Sequence, residues 1–197
     1  MINLAIFASG NGTNAQRLFE YFHSHPAIRV ALVLSNKPDA FVLSRAGAAS
    51  VPSVIFSKKD LREVLPVLET LKKFRIDFIV LAGFLLLIPS EIIREYDSRI
   101  INIHPALLPS FKGTEAIKDA FDYGVKSTGV TVHFVDEQMD HGPIILQETV
   151  KIKEDDTLKS LEERIHKTEH RIYPQAIKLF LEGKLKIAGR KVNIFNS

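Results

Sequence analysis

Apolar positions along the chain follow two alternating rhythms. Short runs rich in Ile, Val and Leu, without polar alternation, lie between longer stretches whose apolar residues recur three and four apart. Uninterrupted apolar runs of this kind are strands buried on both faces, and the longer stretches are amphipathic helices. The runs predict strands at Ile2–Ala8, Arg29–Leu34, Val54–Phe56, Phe78–Ala82, Ile100–Ile103, Gly129–Phe134 and Ile144–Val150. Helices are predicted between them at Asn14–His23, Phe41–Ala49, Asp60–Phe74, Ser90–Tyr96 and Thr114–Tyr123, with Pro66 interrupting the third and Ser90 capping the fourth. From Asp156 to Glu182, Leu158, Leu161, Ile165, Ile172, Ile177, Phe180 and Leu181 keep helical spacing, so a long C-terminal helix, kinked at Pro174, is expected to cover one face of the sheet. Leu185-Lys186-Ile187 and Val192-Asn193-Ile194 around Gly189-Arg190 read as a small terminal hairpin. The alternation predicts an α/β fold in one domain over residues 1–197: a Rossmann-like, mostly parallel twisted sheet of about seven strands with helices on both faces.

Composition narrows the function classes. With 197 residues, 46% of them hydrophobic, the chain can bury a core without cross-links. It has no cysteine, which excludes disulfides, a thiol nucleophile and cysteine-ligated metals, and makes cytoplasm the expected compartment. The apolar start at Ile2–Ala8 has neither the basic flank nor the length of a signal peptide. The longest later apolar stretch, Phe78 to Pro89, falls well short of the roughly 20 residues of a membrane helix. Lys and Arg give a net charge of +3 but are scattered and not interleaved with aromatics, so no nucleic-acid partner is expected. An anionic small molecule suits the charge as well.

Ser9-Gly10-Asn11-Gly12-Thr13-Asn14-Ala15 joins the first predicted strand to the first predicted helix, where backbone N–H groups and the positive helix end converge on a phosphate-sized point. A ligand-free tight turn is one reading. Gly10, Gly12 and Ala15 also fit the dinucleotide fingerprint G-x-G-x-x-G/A, but the second strand ends Leu34-Ser35-Asn36-Lys37, without the acidic residue that would bind a ribose. A phosphorylated substrate held at the same helix end is the third reading, and Asn11, Thr13 and Asn14 add donors for it.

Of seven histidines, His104 stands at the C-terminal end of a predicted buried strand, where open α/β sheets form their ligand crevices. Asn102, two residues earlier, shares its face of the strand. Asp140, in the turn-rich run Gln138-Met139-Asp140-His141-Gly142-Pro143, is placed to approach from a neighbouring loop. Hydrogen-bonded strand-end and loop roles are the bland alternative for all three. His166-Lys167-Thr168-Glu169-His170 has the H-x-x-E-H spacing of a zinc helix, but no further carboxylate ligand is apparent and no metal is expected. His23, His25 and His133 have no partner that the sequence identifies, and packing or surface roles are expected for them.

The runs Ser9-Gly10-Asn11-Gly12-Thr13-Asn14, Ser35-Asn36-Lys37-Pro38-Asp39-Ala40, Leu81-Ala82-Gly83-Phe84, Asn102-Ile103-His104-Pro105-Ala106-Leu107-Leu108-Pro109 and Asp140-His141-Gly142-Pro143 together resemble the glycinamide ribonucleotide formyltransferase family over almost the whole chain. The resemblance implies a single formyltransferase domain, with ribonucleotide bound by its N-terminal half and folate binding and catalysis in its C-terminal half. It implies transfer of a formyl group from the co-substrate 10-formyltetrahydrofolate to the amine of glycinamide ribonucleotide, in de novo purine biosynthesis. Asn102, His104 and Asp140 would surround the tetrahedral centre: an amide for the oxyanion, an acid, and its electrostatic partner. Gly12, Thr13 and Asn14 would hold the phosphate and Glu169 the ribose hydroxyls. Leu85, Leu86, Leu87 and Ile88 would line the pterin pocket, although a buried helix start suits that stretch equally well by composition, and Arg62 would contact the folate. The partners implied are these two small molecules, with no membrane and a monomer or homodimer as the assembly. A methionyl-tRNA formyltransferase would need a further RNA-binding domain and a formyltetrahydrofolate hydrolase a regulatory one, for which the chain is expected to lack room. Leu86, Glu115 and His141 depart from the family pattern, at positions where a basic residue, a histidine and a glycine are frequent.

Overall fold

The computed structural model describes residues Met1 to Phe195. The predicted alternation is present, with elements in the order β1 (Ile2–Phe7), α1 (Thr13–Phe22), β2 (Ile28–Ser35), α2 (Phe41–Ala48), β3 (Ser53–Ile55), α3 (Lys58–Glu63), α4 (Leu65–Lys73) and β4 (Phe78–Leu81). Then follow α5 (Ser90–Glu95), β5 (Ile100–His104), α6 (Ala116–Tyr123), β6 (Ser127–Phe134), β7 (Ile144–Lys151), α7 (Leu158–Leu181), β8 (Leu185–Ala188) and β9 (Lys191–Ile194). The chain forms two compact units, Met1–Ile101 and the part from Asn102 onward.

In the first unit the strands are all parallel: β1 pairs with β2 on one side and β4 on the other, and β2 pairs with β3. The sequence explains why. Leu4 to Ala8 and Leu32 to Leu34 are fully or almost fully buried, which only strands covered on both faces tolerate. Helices α1 and α2 pack on β2 and on each other, burying Leu18, Phe19 and Phe22 from α1 and Val42 and Ala46 from α2.

In the second unit β6 pairs antiparallel with β7, and α7 packs on both. Leu161, Ile165, Ile172 and Ala176 of α7 are buried at intervals of four or seven, with Tyr173 and Ile177 buried beside the last two, the stripe that the pattern predicts. Thr157 and Ser160 form a capping box at its start, and the helix continues through Pro174, which removes one helical hydrogen bond without ending it. The terminal hairpin forms as β8 and β9, but it is not an appendage: β9 joins β7 through the parallel pairing of Ile144 with Lys191. Among the described residues the strand count is therefore nine rather than about seven.

Two local expectations are corrected. Ser90 is the first residue of α5 and makes no side-chain cap; Pro89 occupies the N-cap position. The third predicted helix is two helices, beginning at Lys58 because Ser57 and Asp60 make a capping box, and dividing at Val64 rather than at Pro66. Pro66 lies in the first turn of α4, where its missing N–H costs nothing. Val64 has φ 64° and ψ −50°, a region that a β-branched residue adopts only under strain of about 1–3 kcal/mol. Val64→Gly is expected to relieve more strain than it adds in unfolded-state entropy, raising Tm by roughly 2–4 °C. A calorimetric scan showing a lower Tm would disprove it.

Candidate functional site

In the first unit, the glycine loop follows from a close approach. Gly12 is the N-cap of α1 with φ 74°, and a Cβ there would lie 2.5 Å from the Cγ2 of Val42. No other residue type fits both the backbone and the space. Arg45 secures the loop from α2, its Nε donating to the Asn11 carbonyl and its Nη2 to Asn11 Oδ1, each at 2.8 Å. No side chain caps α1 and no acidic residue stands in its first turn, so Thr13 and Asn14 begin a helix end that suits an anion.

Ser9 connects this loop to the segment between β4 and α5. Its Oγ donates to Asn36 Oδ1 at 2.6 Å and accepts the Leu85 N–H at 3.1 Å, while its N–H donates to the Gly83 carbonyl at 3.0 Å. Asn36 thus stands where a dinucleotide fold would carry its ribose-binding acid, and its carbonyl oxygen is occupied by Ser9. The stretch Leu85 to Ile88 is not helical. Ile88 is buried and Leu86 half-buried, but Leu85 and Leu87 are 50% and 60% exposed, leaving apolar surface in water. Arg62 lies in the last turn of α3, exposed.

In the second unit, Asn102, His104 and Asp140 come together. His104 is 3% exposed; its Nε2 is 2.7 Å from the Phe111 carbonyl oxygen, which makes it the donor there, and its Nδ1 is 3.5 Å from Asp140 Oδ2. An imidazolium satisfies both contacts as a donor, which is the form an acid requires. Asp140 has φ 47°, a left-handed conformation that Asp tolerates, and its Oδ2 also accepts the Gly113 N–H at 2.9 Å.

His133, for which the sequence offered no partner, completes the cluster. It is 2% exposed, and its Nδ1 lies 2.7 Å from the Phe134 carbonyl, so the proton sits on Nδ1. Nε2 then accepts from Asn102 Nδ2 at 3.2 Å, and the second amide hydrogen of Asn102 reaches Asp140 Oδ1 at 3.5 Å. Burial pushes the His133 imidazole below its ordinary pKa, against the opposing pull of the Phe134 carbonyl and the Asp140 carboxylate. Its neutral form is thereby an acceptor that holds the Asn102 amide in place.

One signal pointed to it. Thr131 and His133 are polar residues two apart on a strand buried from Thr128 to Phe134, hence on one face. Thr131 Oγ1 donates to the Ala106 carbonyl at 2.6 Å and accepts the Leu108 N–H at 3.1 Å. That face of β6 therefore supports the Asn102 to Pro109 segment at both ends, through His133 and Thr131.

Glu169 lies in the buried stripe of α7 at 4% exposure, with Oε2 2.9 Å from His166 Nδ1. That carboxylate holds the His166 imidazole above its ordinary pKa. Among the described residues no group of three or more His, Cys, Asp or Glu is assembled to hold a metal, and no helix is long and apolar enough to cross a membrane.

Known proteins share this arrangement of sequence and fold. A phosphoribosylglycinamide formyltransferase of Bacillus subtilis (strain 168) is 42% identical over 186 residues, spanning 92% of this chain and 95% of that protein. The solved glycinamide ribonucleotide transformylase 1 from Symbiobacterium toebii has a TM-score of 0.95 at 41% identity, covering 100% of this chain and 95% of the other. A formyltetrahydrofolate deformylase from Pseudomonas syringae has a TM-score of 0.89 at 26% identity, over 99% of this chain and 66% of the other. The family model described as formyl transferase matches residues 2–177, and the chain belongs to that family.

Proposed function

We propose that the protein transfers the formyl group of 10-formyltetrahydrofolate to the amine of 5'-phosphoribosylglycinamide in purine biosynthesis. The observation that carries this reading is the convergence of the half-buried Asn102 and Asp140 on the buried His104 within a formyl transferase chain, beside similarity over most of the chain to proteins named for that reaction.

The amine attacks the formyl carbon, and its carbonyl oxygen becomes an oxyanion. Asn102 supplies a hydrogen bond to it: the amide hydrogen directed at Asp140 Oδ1, across 3.5 Å from Nδ2, is the weaker held of the two, and it is the one the oxyanion takes. One such donor lowers the barrier by about 3 kcal/mol. His104 delivers a proton to the departing folate nitrogen and is reprotonated by the proton that the attacking amine loses, with Asp140 balancing the imidazolium charge. The Phe111 carbonyl occupies His104 Nε2 and must withdraw before that N–H reaches a substrate. His133 keeps the Asn102 side chain aimed.

Gly12, Thr13 and Asn14 hold the phosphate at the start of α1, and Glu169 serves the ribose hydroxyls. Leu85, Leu86, Leu87 and Ile88 take the flat pterin, for which the exposed Leu85 and Leu87 offer apolar contact, and Arg62 meets the folate carboxylates. The protein acts in the cytoplasm on these two small molecules, without a metal, as a monomer or homodimer.

Incubation with formyl-folate, with and without glycinamide ribonucleotide, followed by measurement of deformylated folate, tests the reading. Acceptor-dependent release is expected. Equal release without acceptor would make the protein a hydrolase, and no release would remove formyl transfer altogether.

A further inference from the structure

The turn that carries Asp140 is gripped from two sides by groups with no part in the proposed chemistry. On one side is Asp136: Oδ1 accepts the Gln138 N–H at 3.0 Å, and Oδ2 lies 2.7 Å from His141 Nδ1. On the other is Arg190, between β8 and β9. Its Nη2 donates to the His141 carbonyl at 2.6 Å, and its Nη1 lies 3.0 Å from His141 Nε2 and 3.3 Å from Nδ1. With the Nδ1 proton given to Asp136, Nε2 presents a lone pair to the guanidinium, so a neutral imidazole is satisfied at both nitrogens.

This grip differs from an ordinary surface ion pair, which contributes little and restrains nothing. Arg190 bonds the ring and the carbonyl of one residue, and that residue directly follows Asp140. The neighbouring Gly142 leaves the turn no slack: a Cβ there would lie 1.9 Å from the Phe134 carbonyl oxygen. The end of β6, Asp136 and Arg190 therefore confine the turn from separate directions. Its product is a carboxylate in a left-handed backbone conformation, 3.5 Å from His104 Nδ1.

We propose that Arg190 is a positioning residue that acts through His141 to fix the orientation of the Asp140 carboxylate, which makes the terminal hairpin part of the site's support. The inference rests on the reading of Asp140 as a participant in formyl transfer. It explains why the hairpin is bound in by β9 pairing with β7: the pairing carries Arg190 to the turn.

The test compares Arg190→Ala, His141→Ala, their double variant and Arg190→Lys in the full chain, reading amide hydrogen exchange over residues 138–142 together with kcat and KM. Arg190→Ala is expected to speed exchange there about tenfold and to lower kcat about tenfold, with KM for the ribonucleotide within about twofold of wild type. Arg190→Lys, able to keep one of the contacts, restores part of both. The double variant is no worse than Arg190→Ala, because both changes remove one connection. Wild-type exchange and kcat in Arg190→Ala, or losses that multiply in the double variant, would overturn the inference. If the wild-type protein itself shows no acceptor-dependent turnover, the formyl-transfer reading fails, and the exchange comparison still decides whether Arg190 holds the turn.

Discussion

Asp140→Asn is expected to lower turnover by about a hundredfold or more, with ribonucleotide binding changed less than about threefold. Asn has the size of Asp and tolerates the same left-handed backbone at φ 47°, so the turn keeps its shape. What disappears is the charge. The carboxylate faces His104 Nδ1 at 3.5 Å in a setting where its side chain is 9% exposed, so water screens the pair poorly. An amide in that place offers the imidazolium no counter-charge, and the acid form of His104 loses its partner. His104→Ala removes the proposed acid itself and is expected to fall in the same range. Steady-state kinetics with calorimetric binding of the ribonucleotide separates the two effects. Turnover near wild type in either variant would show that the proton takes another route.

His133→Ala is expected to cost about 3 kcal/mol of stability and to reduce turnover about tenfold. The stability loss has two sources: a cavity at a site 2% exposed, and the loss of bonding partners for the Phe134 carbonyl and the Asn102 amide. The activity loss follows, on the proposed mechanism, from the released Asn102 amide, which no longer points a donor at the developing oxyanion. The pH dependence gives a separate reading. The pKa of His133 is lowered by folding, so below about pH 6.5 the unfolded chain binds a proton that the native site resists. Its contribution is complete above that pH and is lost as pH falls. Denaturant titrations at pH 7.5 and pH 5 are therefore expected to differ less for His133→Asn than for wild type. An unchanged difference would mean that the ring charges without penalty.

The elements were legible because period and burial are local properties. The run Leu4 to Ala8 and the stripe along α7 announce their structures without knowledge of any partner. Boundaries moved where a cap decided them, as Ser57 and Asp60 did for α3. The division at Val64 was invisible, since nothing in a valine announces a positive φ. Asn102 and His104 were legible as a pair because residues two apart on a strand share a face. Asp140 was legible as a turn residue placed to approach, and its role came through resemblance. His133 escaped because it lies 31 residues from Asn102, and its value as an acceptor depends on which ring nitrogen carries the proton. Arg190 escaped because it lies 49 residues from His141, on the terminal hairpin, where spacing along the chain does not show the contact.

The sequence by itself determined the α/β alternation, the glycine-dependent turn before α1, and the residues Asn102 and His104 on one strand face. Only the tertiary structure decided that Asp140 meets them, that His133 braces the amide, that the Phe111 carbonyl occupies the His104 donor, and that the described residues form nine strands. Spacing along a chain sets which faces side chains share within one element. Hydrogen bonds between distant segments depend on directions and distances that exist only once those segments are packed together.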